Sequence, residues 1–486
     1  MTTESAGRSR PNIVFILTDD HAAHSIGAYG SKINQTPQLD RIAADGARLD
    51  SCFCTNSICS PSRATILSGT YSHINGVTSV YSNIEYRVPN FTQCLRESGY
   101  RTALFGKWHL GHQEPHLPRP QDFDAWQVFP GQGEYNDPKM ITADGEVTVP
   151  GYATDIVTDL SLSWLDQLRS EGSEDPFCLM VHHKAPHRPW VPDPKHRDLY
   201  PVGSIPEPET LFDDFATRGR AAHEARMTIA DDLNPETDIK EPIPAELQGE
   251  ENREARIHWA YQRYLRDYLQ TVQSVDDNVG RVLDYLDDHG LSDNTIVVYT
   301  SDQGFFLGDH GWYDKRFIYE QSLQMPFLIK WPGHVEPGTV VDEMITNTDF
   351  AATFLEAAGL DAAQVLPTSQ GRSFAGVLRG QVPDDWQQAM YYRYWEHDDP
   401  SHHAWAHYGI RTRTHKLVYF YADGLGTVGS SDRVFEPEWE MYDLVADPQE
   451  LNNIADDPAA QPIRTELEEQ LAALQKQFGD QPYQRV

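Results

Sequence analysis

The sequence predicts an α/β protein: a large, mostly parallel mixed sheet sandwiched by helices, followed by a smaller C-terminal α+β domain of antiparallel strands and a helix. Three observations predict it. Short continuous apolar runs, NIVFILTDD (12–20), RTALFGKWH (101–109), PFCLMVHHKAPH (176–187) and NTIVVYTSDQG (294–304), have the character of strands buried on both faces. Amphipathic helical patterns separate them. After about residue 375 the texture changes to aromatic-rich segments suited to antiparallel strands.

Taken in order, the polar start MTTESAGRSRPN is followed by an apolar run, IVFIL, too short for a signal-peptide core or a membrane span, so a cytoplasmic protein is expected. CSPSR (59–63) opens a helix: Pro61 suits its first turn, Gly69 ends it, and Cys59 and Arg63 fall at the positive end of its dipole, an environment suited to an anion. Segment 155–169 puts Ile156, Leu160, Trp164 and Leu168 on one face, and 255–289 continues for many turns until Gly290. Residues 200–254 are rich in Pro, Asp and Glu and read as an excursion or lid within a catalytic domain spanning 1–375. The C-terminal domain, 376–486, holds AMYYRYWE, HYGIRTRTHKLVYFYA and EWEMYDLVADP as strands and a helix with Ile463, Leu467, Leu471 and Leu474 on one stripe.

Composition narrows the function. With 73 acidic against 39 basic side chains the net charge is -34, and no basic run offsets it, which argues against nucleic acid or an anionic membrane as partner. An anionic substrate would need a local cationic pocket working against the global field. Five cysteines in 486 residues are too few for a disulfide scaffold and point to a reducing compartment.

The four strands end in chemistry: Asp19-Asp20, Lys107-Trp108-His109, His182-His183 with His187 beyond, and Asp302-Gln303. In parallel α/β sheets such ends open on one crevice. Three carboxylates and an amide oxygen, from Asp19, Asp20, Asp302 and Gln303, form an oxygen cage for a hard cation, Ca²⁺ or Mg²⁺ rather than Zn²⁺. Each piece also has a plainer reading. A DD pair after a strand is commonly a turn or cap, Lys315 a surface lysine, and His182 or His183 a core histidine. His310 can brace its loop as well as touch substrate, and Trp190, Trp312 and Trp395 suit core packing better than a sugar pocket.

Cys59-x-Pro61-x-Arg63 followed by ATILSGTYSHINGV, then GKWHLG (106–111), KAPHRPW (184–190), TSDQGFFLGDHGWYDK (300–315) and MYDLVADPQELNNIAD (441–456), resembles the type I sulfatases of the alkaline phosphatase-like superfamily over nearly the whole chain. The resemblance implies that a formylglycine-generating enzyme oxidises Cys59 to formylglycine, whose hydrated aldehyde attacks a sulfate ester. It implies that Asp19, Asp20, Asp302, Gln303 and residue 59 hold Ca²⁺, with Mg²⁺ or Mn²⁺ as alternatives. It further implies that Arg63, Lys107 and Lys315 neutralise the sulfate, that Asp302 is the local base, that His187 or Lys315 protonates the leaving alcohol, and that His109 regenerates the aldehyde. A serine at 59 would accept sulfate yet have no second hydroxyl with which to release it. Two rivals stay open: a phosphonate monoester or phosphodiester hydrolase sharing this machinery, disfavoured by Asp20 and Gln303, and a non-catalytic anion-binding homologue in which Cys59 remains a thiol. The substrate would be a sulfated sugar, an oligosaccharide or a small aryl or alkyl sulfate.

Overall fold

The computed structural model describes residues 10–485. Its main sheet has ten strands: β1 (Asn12–Thr18), β2 (Ala47–Leu49), β3 (Arg101–Lys107), β4 (Ala125–Phe129), β5 (Lys139–Thr142), β6 (Gly145–Thr148), β7 (Phe177–His182), β8 (Thr295–Ser301), β9 (Phe327–Lys330) and β10 (Thr339–Val341), in the order β10-β2-β9-β8-β1-β7-β3-β4-β5-β6. The four strands read from the sequence are the contiguous centre, β8-β1-β7-β3, and every pairing among them is parallel. Antiparallel β9 on one side and β5 and β6 on the other make the sheet mixed.

Continuous apolar strands require cover on both faces. In β1, Val14 and Ile16 point toward helices α1 (Pro37–Ala44), α3 (Ala153–Ser170) and the second half of α4 (Arg253–Asp288), packing with Leu39, Ile156, Trp164, Val275, Val279 and Val282. Ile13, Phe15 and Leu17 point the other way, toward α2 (Cys59–Ser68) and α5 (Asp349–Ala357); Phe15 meets Phe354 edge to face at 5.4 Å. Each such buried side chain contributes about 1.5–3 kcal/mol of burial free energy.

The first half of α4 projects past the sheet and is covered by the 200–254 segment, whose Ile205, Leu211, Ile229, Leu233 and Ile239 pack on Tyr261, Tyr264, Leu265 and Tyr268. That segment is built of turns and short helices. In the C-terminal part, strands β11 (Ala389–Tyr394), β12 (His407–Thr412), β13 (His415–Phe420) and β14 (Glu438–Asp443) form an antiparallel sheet against helix α6 (Gln461–Phe478). Leu467 and Leu471 are buried there, whereas Ile463, expected on the same stripe in the first turn of α6, is 37% exposed. Among the described residues no helix is long and apolar enough to cross a membrane.

Candidate active site

The carboxyl ends of β1, β7, β8 and β3 do open on one crevice. Parallel register carries Asp19 and Asp20 beside Asp302: the Asp302 amide donates to the Thr18 carbonyl at 3.1 Å, and the Asp20 amide to Asp302 Oδ1 at 3.3 Å. The loop after β7 folds back so that the Asp19 amide donates to Ala185 O at 3.3 Å. Between β7 and β3 the strands close tightly at Gly106, where φ is +105° and an added Cβ would stand 1.9 Å from the His182 carbonyl oxygen. Gly106→Ala should therefore cost about 3 kcal/mol or more, visible as a large fall in unfolding temperature; a wild-type melting curve would refute this packing.

Helix α2 begins at Cys59 and ends on left-handed Gly69, as its sequence indicates. Cys59 is 1% exposed, and burial, with Asp302 and Asp20 nearby, pushes its thiol up to about 11 against the pull of Lys315 and Arg63. The helix dipole therefore does not produce a thiolate here: desolvation wins, and an unmodified thiol is a poor nucleophile.

Around it the charges interlock. Arg63 is 2% exposed; its Nε donates to Asp302 Oδ2 at 2.9 Å, its Nη1 to the Lys107 carbonyl at 2.8 Å, and its Nη2 lies 4.0 Å from Asp19 with no hydrogen-bond partner. Lys107 is in ion-pair contact with Asp19 and donates to Gln132 Oε1. Lys315 Nζ stands 2.6 Å from Asp20 Oδ1, which also accepts from Gln303 Nε2 at 2.6 Å. Burial raises the Asp20 carboxyl to about 6, with Lys315 opposing. Burial also opposes charge on Lys315, but Asp20 and Asp314 outweigh it and hold its pKa above the usual value.

His109 sits 3.3 Å from Ser60 Oγ through Nδ1, and burial plus the repulsion of Lys107, Arg63 and Lys315 keep it neutral. His187 is kept neutral by burial and the repulsion of Lys107, Lys315 and Lys184; its Nδ1 bonds the Arg188 carbonyl, so the proton is on Nδ1 and Nε2 faces Asp20 as a lone pair at 3.8 Å. His182 hydrogen-bonds the Lys107 carbonyl at 3.0 Å, a core role. His310 braces its loop through Asp213 at 2.8 Å, and Trp190 packs among Tyr264, Tyr268 and Phe305. Trp312 stacks on Phe215, while Trp395 lies under the Arg393 guanidinium.

The donor set fits a cation. Asp19, Asp20 and His187 each offer a ligand atom, all within 4.8 Å of one another. Asp19 Oδ1 and Gln303 Oε1 are buried acceptors with no hydrogen bond, while Asp19 Oδ2 meets the Lys107 ammonium. The expected oxygen set is thus partly assembled, with an imidazole nitrogen added; Asp302 is turned onto Arg63.

Other residues of the site lay outside the sequence reading. Gln132 approaches Cys59 Sγ at 4.0 Å, and Lys184 is buried with its pKa drawn down to about 8 by burial. Asp314 and Arg316 flank Lys315 with φ of 79° and 101°, and Asp20 and His109 also have positive φ, at 70° and 57°. Each such residue costs about 1–3 kcal/mol, strain of the kind that clusters at functional sites. KAPH was a legible signal for Lys184; nothing local marked Gln132.

The sulfatase family model matches residues 11–360, which carry this whole crevice. The chain belongs to the sulfatase family. A second model, N-sulphoglucosamine sulphohydrolase, C-terminal, matches residues 308–477. The sulfatase is 40% identical to the N-acetylglucosamine-6-O-sulfatase of Bacteroides thetaiotaomicron, over 97% of this chain and 87% of that one. A solved structure of a protein in complex with its substrate D-glucosamine-2-N,6-O-disulfate superposes with TM-score 0.86 at 40% identity, covering 97% of this chain and 98% of the other. The phosphonate monoester hydrolase of Agrobacterium radiobacter shares the fold at 21% identity, with TM-score 0.71 and 96% of each chain covered. The sulfatase is a sulfuric ester hydrolase of the alkaline phosphatase-like fold.

Proposed function

We propose that this sulfatase removes the 6-O-sulfate of glucosamine-type sugars, with residue 59 acting as formylglycine. The observation that carries this reading is the convergence of Cys59 with Arg63, Lys107, His109 and Lys315 around the buried Asp19 and Asp20, on a chain 40% identical to an N-acetylglucosamine-6-O-sulfatase. Oxidation of Cys59 supplies a hydrated aldehyde as nucleophile. Asp19, Asp20, Gln303 and His187 would hold a hard divalent cation, Ca²⁺ first, which when bound polarises a sulfate oxygen. Asp302 Oδ2 accepts from Arg63, and the carboxylate's remaining lone pairs would let it join this set and act as base.

The chain's own groups do the rest. Arg63 Nη2, unpartnered and aimed into the crevice, donates to a sulfate oxygen, and Lys107 neutralises its charge. Neutral His109 accepts the proton from residue 59. His187 has its one proton committed to the Arg188 carbonyl, so Lys315 is the donor to the leaving alcohol.

The test is a substrate panel on protein made in a host with a formylglycine-generating system: N-acetylglucosamine 6-sulfate, D-glucosamine-2-N,6-O-disulfate, an aryl sulfate and phenylphosphonate monoester. The 6-sulfated sugars should give kcat/KM at least about tenfold above the aryl sulfate, since sugar contacts add transition-state binding. Preference for the phosphonate would transfer the chain to the rival hydrolase class, and activity on the aryl sulfate alone would remove the sugar assignment.

A further inference from the structure

Each buried cation of the crevice but one has a carboxylate. Arg63 holds Asp302, Lys107 holds Asp19 and Lys315 holds Asp20. Lys184 is 2% exposed and makes one hydrogen bond, to the Arg188 carbonyl at 3.2 Å, with the Tyr135 ring centroid 4.9 Å from its Nζ. Among the described residues no carboxylate lies within ion-pair distance of it. An ammonium carries three donors, so two are unused. A buried charge without a counter-ion is costly to keep, and packing gives no reason for a lysine where an apolar side chain would fit.

Its surroundings say what the missing partner is. The ionised groups acting on Lys184 are Asp20 and Lys315 of the reaction site, together with exposed Glu134. Tyr135 is fixed by its hydroxyl donating to the His187 carbonyl at 2.8 Å, and from the same loop Gln132 reaches Cys59 Sγ and Lys107. Lys184 therefore stands against the loop that borders the reaction site, with two of its N–H groups unspent.

We infer that Lys184 is a further substrate-binding residue, whose absent counter-charge is the sulfate group of the ester. This rests on the sulfatase reading. The ammonium donates to a sulfuryl oxygen not already taken by Arg63 or Lys107, and Tyr135 keeps it from swinging to solvent.

The experiment compares wild type, Lys184→Met and Lys184→Arg as full-length, formylglycine-bearing protein, by kinetics on N-acetylglucosamine 6-sulfate and by melting with and without inorganic sulfate. Lys184→Met should lower kcat/KM by roughly 10²–10³, the usual effect of removing one oxyanion donor. It should melt at or above the wild-type temperature without sulfate, because an unpaired buried charge is gone, and lose the sulfate-induced rise; Lys184→Arg should recover part of both. A Lys184→Met protein with wild-type kinetics and sulfate response overturns the inference, as does one that melts lower while its sulfate response is intact. If wild type hydrolyses no sulfate ester but its sulfate-induced rise still depends on Lys184, the anion site stands and the enzymatic reading falls instead.

Discussion

Replacing Cys59 by alanine should lower kcat on the order of 10⁵–10⁶, the scale on which enzymes lose a covalent nucleophile. The fold should persist, because the change deletes one sulfur from a packed helix terminus at a cost of about 1 kcal/mol. Sulfate should also still bind: Arg63, Lys107 and Lys315 keep their partners Asp302, Asp19 and Asp20 in the variant. Kinetics and a sulfate-dependent melting curve check both halves. Residual turnover within about tenfold of wild type would mean that residue 59 is not the nucleophile.

Arg63→Ala should be damaging in a different way, with a smaller loss of kcat and a loss of stability. The guanidinium is 2% exposed, ties Asp302 to the Lys107 carbonyl and leaves one nitrogen for substrate. Its removal strands the Asp302 carboxylate in the interior, which costs about 3–5 kcal/mol of stability, and deletes a sulfate donor, worth roughly 10²–10³ in kcat. Arg63→Lys retains the charge but cannot span both partners, so it should melt between wild type and alanine while remaining strongly impaired in kcat. Thermal unfolding and steady-state kinetics together test this. An Arg63→Ala protein with unchanged melting would show that the pair with Asp302 does not hold the site together.

The centre of the fold was legible because physics leaves few choices there. Strands such as NIVFILT and TIVVYTS carry continuous apolar runs, are buried at every position, and deliver Asp19, Asp20 and Asp302 to one crevice. The edges were less legible. Strands β2 and β10 are three residues long, and β6 is exposed along its length, so none carries a periodic signal. In the site, residues on strand ends and on α2 were read from order along the chain. Gln132 and the strained Asp314 and Arg316 depend on loop conformations that no local pattern encodes. The dipole of α2 marked the surroundings of Cys59 as suited to an anion, whereas burial pushes its thiol up to about 11, a balance visible only once depth is known. His187 illustrates the same point: the resemblance offered it, with Lys315, as acid to the leaving alcohol, and one backbone carbonyl, that of Arg188, decides which nitrogen carries the proton.

The most direct test of the account is the mass of the tryptic peptide Leu49–Arg63 from protein made with a formylglycine-generating system. Replacement of one sulfur and two hydrogens by an oxygen at residue 59 is the predicted result. An unmodified thiol in a competent host, in protein that still turns over sulfate esters, would contradict it.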